Sequence, residues 1–239
     1  MDDLESDNRR LVSFAESVGK RLIENMGLPE RRPWRAPLDE LILTVLSQNT
    51  TDVNSLAAFK SLKNRFPSWE LLFSAQYEEV LETIRPAGLG PTKTRRILDL
   101  MPIIRREDPT LTLDFLSSNS IDEGYEFLTG ISGVGRKTAA CVLLFACGKP
   151  AFPVDTHVFR VSRRIGLDTH SRTRDQMQAL FERIVPAEDR YNLHMNLIRL
   201  GRNICRARSP KCPDCFLTDL CAYYSRLNLP GMSRGLTPV

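Results

Sequence analysis

Apolar residues recur along this chain at helical spacing. Leu11, Phe14, Val18 and Leu22 fall on one face of a helix, and Leu38, Ile42, Val45 and Leu46 do the same further on. No run alternates convincingly with the period of a strand. Prolines punctuate the pattern: Pro29, Pro33 and Pro37 mark a connecting segment, and Pro67, the Pro86–Pro91 turn, Pro102 and Pro109 mark short breaks between successive helices. The prediction is an all-α array with no low-complexity segment. Trp34, in the connecting segment, is expected to be a packing anchor rather than a platform for stacking a base.

The stretch from Ser120 to Arg164 is the most informative. Ser120 and Glu123 have capping-box spacing, which predicts a helix over Ile121–Leu128. Gly130-Ile131-Ser132-Gly133-Val134-Gly135 breaks it, and Arg136-Lys137-Thr138 opens an apolar helix running through Phe145. Gly148 and Pro150 stop that helix, and Asp155, just after Pro153, stands where the N-cap of the next one should be. A helix start carries partial positive charge, which favours the neutral, nucleophilic form of an amine and holds a carboxylate ionised. Glycines at 133 and 135 let bare backbone approach a phosphate. A basic amine, a fixed carboxylate and a phosphate cradle thus lie within about twenty residues of one another, although Asp155 alone reads as an ordinary N-cap and Lys137 alone as a surface cation.

At 239 residues and 42% apolar, the chain can bury one large core or two modest ones. Its net charge of +4 permits a nucleic-acid partner without demanding one. The longest apolar stretch, Ala139–Cys147, is too short to span a bilayer, and the acidic N-terminus has no signal-peptide layout. A soluble cytoplasmic protein with no membrane partner is expected.

Two polar segments have open readings. Ser47-Gln48-Asn49-Thr50-Thr51-Asp52 follows an apolar helix and reads either as a loop ending in an N-cap at Thr51 or Asp52, or as a polar finger that enters a groove. Gly88-Leu89-Gly90-Pro91-Thr92-Lys93 is a fainter copy of the central turn, with Pro91 at a first helical position and Lys93, Arg95 and Arg96 behind it. It reads as a phosphate contact or as a turn before a solvated basic face.

Four cysteines near the C-terminus, Cys205-x6-Cys212-x2-Cys215-x5-Cys221, suit zinc or a [4Fe–4S] cluster, with one CxxC flanked by longer arms leaning toward iron–sulfur. Between the first two lie Arg206, Arg208 and Lys211. A loop pinned by a metal centre and bearing three cations would make a rigid phosphate clamp, or else a solvated loop, and Arg199 and Arg202 just upstream favour nucleic acid. Cys141 and Cys147 read as core residues.

The combination of Gly133-Val134-Gly135-Arg136-Lys137-Thr138-Ala139 with Val154-Asp155-Thr156-His157 resembles the helix-hairpin-helix and Gly/Pro-Asp signature of base-excision DNA glycosylases. Joined to the four cysteines, it resembles the endonuclease III family over roughly Leu38–Cys221. That resemblance implies two helical domains with the active site in a cleft between them. One is a six-helix barrel domain at 36–149 carrying the hairpin. The other comprises 1–35 plus 150–221 and holds a [4Fe–4S] cluster on Cys205, Cys212, Cys215 and Cys221; residues 222–239 form a C-terminal tail, expected to be disordered after Leu227.

It also implies a chemistry. Lys137 matches the catalytic lysine of bifunctional members and Asp155 the catalytic aspartate. The amine attacks C1′ of the sugar, displaces the damaged base and forms a Schiff base, whose acidified C2′ allows β-elimination to cut the strand 3′ to the lesion. The base must first leave the stack. Asn49 stands where the family has a helix-entering glutamine, with Gln48 beside it, and Leu89 resembles an apolar wedge. Gly133, Gly135, Arg136, Lys93, His157, Arg206, Arg208 and Lys211 are further candidate DNA contacts. The resemblance suggests oxidised pyrimidines in double-stranded DNA as substrate, and a monomeric, nucleoid-associated enzyme. The alternatives are a monofunctional mismatch glycosylase and a non-catalytic DNA-binding module.

Overall fold

The computed structural model describes residues 2–227, with side chains from Asn8 onward. Every regular element among the described residues is helical, and none of these helices is long and apolar enough to cross a membrane. The chain divides into two compact units, Arg32–Lys149 and the joined segments Met1–Arg31 and Pro150–Val239.

The first helix, α1 (Asp2–Met26), belongs to the split unit and presents Val18 and Leu22 as fully buried residues, as their spacing predicts. The unit spanning Arg32–Lys149 then supplies α2 (Pro37–Leu46), α3 (Asp52–Arg65), α4 (Trp69–Phe73), α5 (Tyr77–Thr83), α6 (Gly90–Glu107), α7 (Ile121–Gly130) and α8 (Arg136–Phe145). The five-residue α4 is the shortest of these seven helices. Every residue of α2 except Asp39 is buried, because α3, α6 and α8 pack around it. Returning to the split unit, the chain forms α9 (Thr156–Ile165), α10 (Arg174–Ile184), α11 (Arg190–Asn203), the cysteine loop and α12 (Ala222–Leu227). Its core gathers Val18, Leu22, Val158, Val161, Ile165 and Leu197 around Phe152 and Phe181. The two rings meet edge to face, with centroids 4.9 Å apart.

Local signals read correctly where the chain's own backbone satisfies them. Ser120 and Glu123 close both halves of a capping box, so α7 starts at Ile121. Thr51 caps α3 by accepting from Asn54 N at 3.3 Å.

Four expectations change. Pro102 does not break its helix; α6 runs through it to Glu107. Pro102 is exposed, while Ile97, Leu100, Met101 and Ile104 on the opposite face are buried and hold both turns in line. Trp34 is 68% exposed rather than anchoring a core. The tail assigned to 222–239 begins with α12, whose Tyr223 ring takes the Arg164 guanidinium at 5.0 Å; the segment after Leu227 lies outside the described residues.

The fourth correction concerns Lys93, expected at a DNA phosphate. It is 3% exposed, and its Nζ donates to Leu46 O at 2.8 Å and Ala87 O at 2.7 Å. The ammonium therefore satisfies the carbonyl ends of α2 and of the Arg85–Ala87 turn, and burial pushes its pKa down. Lys93→Met should destabilise the protein by about 3 kcal/mol through two buried carbonyls left without donors, measured as a lowered urea midpoint. A midpoint within error of the wild type would show that these contacts are dispensable.

Candidate active site

The hairpin turn is built by burying its apolar residues. Ile131 and Val134 are inside, with Val134 N donating to Ile131 O at 3.0 Å, so Ser132, Gly133 and Gly135 stand exposed. Gly133 has φ +87°, the left-handed region that favours glycine, and a Cβ there would sit 3.5 Å from Arg96 Nε. Gly135 is the N-cap of α8, so the first backbone N–H groups of α8 follow the exposed turn directly.

Lys137 is the second residue of α8 and is half-buried. Two groups without a motif in the sequence lie within its influence. Cys141, one turn on, shares a side-chain hydrogen bond with Lys137, and burial pushes the Cys141 thiol up. Glu40 on α2 is 2% exposed; burial pushes its carboxyl up, while Arg32, Arg35 and Lys137 pull it back down. Arg35 Nη1 lies 3.6 Å from Glu40 Oε2. Arg136, expected as a DNA contact, is half-buried with its guanidinium 4.7 Å over the Tyr125 ring.

The polar segment after α2 ends in the cap that its first reading expects. Thr51 is an N-cap, and Asn49 projects from the loop as an exposed residue in left-handed backbone, φ +52°. Gln48 is half-buried, and its Oε1 accepts from Arg96 Nη1 on α6. Leu89 is likewise left-handed, φ +49°, and 54% exposed. Non-glycine residues held at positive φ cost free energy that the surrounding fold must offset, and both here carry their side chains outward. At the hairpin, Thr92, Arg95 and Arg96 from the first turns of α6 line a cavity of about 390 Å³ together with Ser132 and Gly133.

In the other unit, Asp155 caps α9, its Oδ1 accepting from Val158 N at 2.7 Å, which leaves the second oxygen without that duty. His157 is half-buried, with its Nδ1 3.2 Å from Arg160 Nη2. Burial lowers the His157 pKa, and Arg160 and Arg202 oppose its charging further, while Asp155 and the Gly201 backbone work against them.

The four cysteines are free thiols, all half-buried, and together line one small cavity with Arg164, Ile204, Pro210, Thr218, Tyr223 and Tyr224. Four thiols lining one shared space suit a cluster held by cysteine thiolates. Burial raises the pKa of Cys212, Cys215 and Cys221, and neighbouring thiolates raise all three further, a repulsion that iron would offset. Arg164, unrecognised in the sequence, organises the loop: it donates to Arg206 O at 2.6 Å, to Ala207 O at 3.0 Å and to Cys205 Sγ at 3.6 Å. Arg206, Arg208 and Lys211 are exposed.

Comparison with known proteins agrees with these features. Residues 42–187 match the family described as HhH-GPD superfamily base excision DNA repair protein, and residues 205–221 match the iron–sulfur binding domain of endonuclease III. The endonuclease III of Sulfolobus acidocaldarius is 35% identical over 77% of this chain and 81% of its own length. Two solved structures, a non-covalent endonuclease III–DNA complex and a trapped endonuclease III–DNA covalent intermediate, each have a TM-score of 0.76. They are 29% and 28% identical, covering 89% of this chain and 95% and 98% of theirs. A hairpin turn with a lysine behind it, a capping aspartate and a four-thiol [4Fe–4S] loop thus occur in a chain that belongs to the endonuclease III family of base-excision DNA repair enzymes.

Proposed function

We propose that this enzyme removes oxidised pyrimidines from double-stranded DNA and then nicks the strand, with Lys137 as nucleophile and Asp155 as the charged partner. The observation that carries the reading is the position of Lys137, an amine in the first turn of a helix whose N-cap glycine closes an exposed backbone turn. A phosphate held on that turn would bring the attached sugar toward the amine. The Lys137 amine adds to C1′ as the base leaves with the electron pair of the glycosidic bond; the nitrogen then loses a proton and the C1′–O4′ bond opens, O4′ taking up a proton, which leaves an imine. Asp155 stabilises the positive charge that develops on the sugar ring. Loss of a C2′ proton from the resulting imine then expels the 3′ phosphate. The structurally similar endonuclease III trapped covalently on DNA supports an enzyme-bound intermediate of this kind.

Around this centre, Asn49 and Leu89 serve as the groups that enter the duplex, and His157 and the exposed Arg206, Arg208 and Lys211 serve the backbone. Cys205, Cys212, Cys215 and Cys221 hold the cluster, which pins the loop bearing those cations. The enzyme acts as a monomer at the nucleoid.

Borohydride trapping on duplex DNA bearing thymine glycol tests the reading. A covalent adduct with base release is expected. Release of a mismatched base without an adduct would establish a monofunctional mismatch enzyme instead. Tight binding without release from any of a panel of oxidised, mismatched and deaminated bases would leave a DNA-binding module.

A further inference from the structure

Within the Arg32–Lys149 unit, three separate loops are candidates for touching DNA: the 47–51 segment, the Leu89 turn and the hairpin turn at 131–135. A single side chain reaches two of them. Arg96, on the second turn of α6 behind Leu89, donates through Nη1 to Gln48 Oε1, and it lines one cavity with Gly133, where an added Cβ would stand 3.5 Å from its Nε. α6 itself begins at Gly90, directly after Leu89, so the third loop is the root of the same helix. Gln48 immediately precedes Asn49, which stands exposed at φ +52°.

We propose that Arg96 is a positioning residue that holds Asn49 ready to enter the duplex, by fixing Gln48 against α6 at the hairpin. The inference rests on the reading of Asn49 as the residue that enters the helix. Its physical content is preorganisation. A loop residue in left-handed backbone with an exposed side chain gains little from its own contacts, so its conformation must be imposed by its neighbours. The Gln48–Arg96 bond is charge-assisted and half-buried, and it spans 48 residues of sequence, so it supplies that constraint. Gln48 is then not a second finger: its carbonyl oxygen is engaged, and it steers Asn49.

Gln48→Ala is the informative variant, because it cuts the tie without removing a cation. The readout is affinity for an oligonucleotide containing a tetrahydrofuran abasic-site analogue, measured as duplex and as single strand. This analogue forms no Schiff base, so the result is independent of whether Lys137 is the nucleophile. Gln48→Ala, Arg96→Ala and Asn49→Ala should each weaken duplex binding by about tenfold, and Gln48→Ala and Asn49→Ala should leave single-strand binding unchanged, because Asn49 has a gap to fill only in a duplex. The Gln48→Ala/Arg96→Ala double variant should lose no more duplex preference than either single one. Wild-type duplex binding by Gln48→Ala beside weakened binding by Arg96→Ala would make Arg96 a plain phosphate contact and overturn the proposal. Equal losses on duplex and single strand for Gln48→Ala would reduce the pair to a structural bond and overturn it as well. Wild-type behaviour of Asn49→Ala would remove the reading on which the proposal stands, and the proposal with it.

Discussion

Lys137→Gln should abolish borohydride trapping and lower strand cleavage at a lesion by at least about 10³-fold, while leaving lesion-containing DNA bound. Glutamine preserves length and helix propensity in the first turn of α8 but has no basic lone pair to add to C1′. The substitution also removes one of the cations acting on buried Glu40, yet Arg32 and Arg35 remain around that carboxyl, so the fold should persist. An unchanged melting temperature beside lost trapping would separate chemistry from stability. An adduct that survives in the variant would transfer the nucleophile's role to another amine.

Asp155→Asn is expected to slow base release by about 10²–10³-fold without measurable destabilisation. The proposed function gives the aspartate a second duty beside capping, and this substitution divides the two. Capping needs only the oxygen that accepts from Val158 N, which an asparagine amide also supplies, and the two residues are nearly equal as N-caps. Stabilising a cationic sugar needs the negative charge, which asparagine lacks. Asp155→Ala should lose the same activity and about 1 kcal/mol of stability besides. Full activity in the asparagine variant would mean that capping is the residue's whole role.

How much of this could be read from the chain depends on the range of the interactions involved. The capping box at Ser120 and Glu123, the cap at Thr51, the turn at Gly133 and the cap at Asp155 are satisfied by backbone within a few residues, so their spacing was enough to predict them. The four cysteines were visible for a related reason, since thiol chemistry constrains spacing wherever a cluster is bound. Lys93 was misread because in sequence it is simply a cation after a Gly-x-Gly turn. Whether it meets phosphate or carbonyl depends on the end of α2, 47 residues upstream. Trp34 failed in the opposite direction, an aromatic residue expected inside and found mostly in solvent.

Arg164, Arg96 and Glu40 carried no local signal beyond their charge. Arg164 takes its role from carbonyls 42 and 43 residues away, and Arg96 from an amide 48 residues away. Glu40 takes its environment from being on a helix that its neighbours enclose on every side. By itself, then, the sequence determined the helices, their caps, the hairpin turn and the four-cysteine loop, because each depends on contacts a few bonds or one helical turn away or on ligand spacing. Only the tertiary structure decided which cations face solvent and which hold the framework together, because a charged side chain's partner is chosen by packing between distant segments, and the chain's local pattern does not encode that choice.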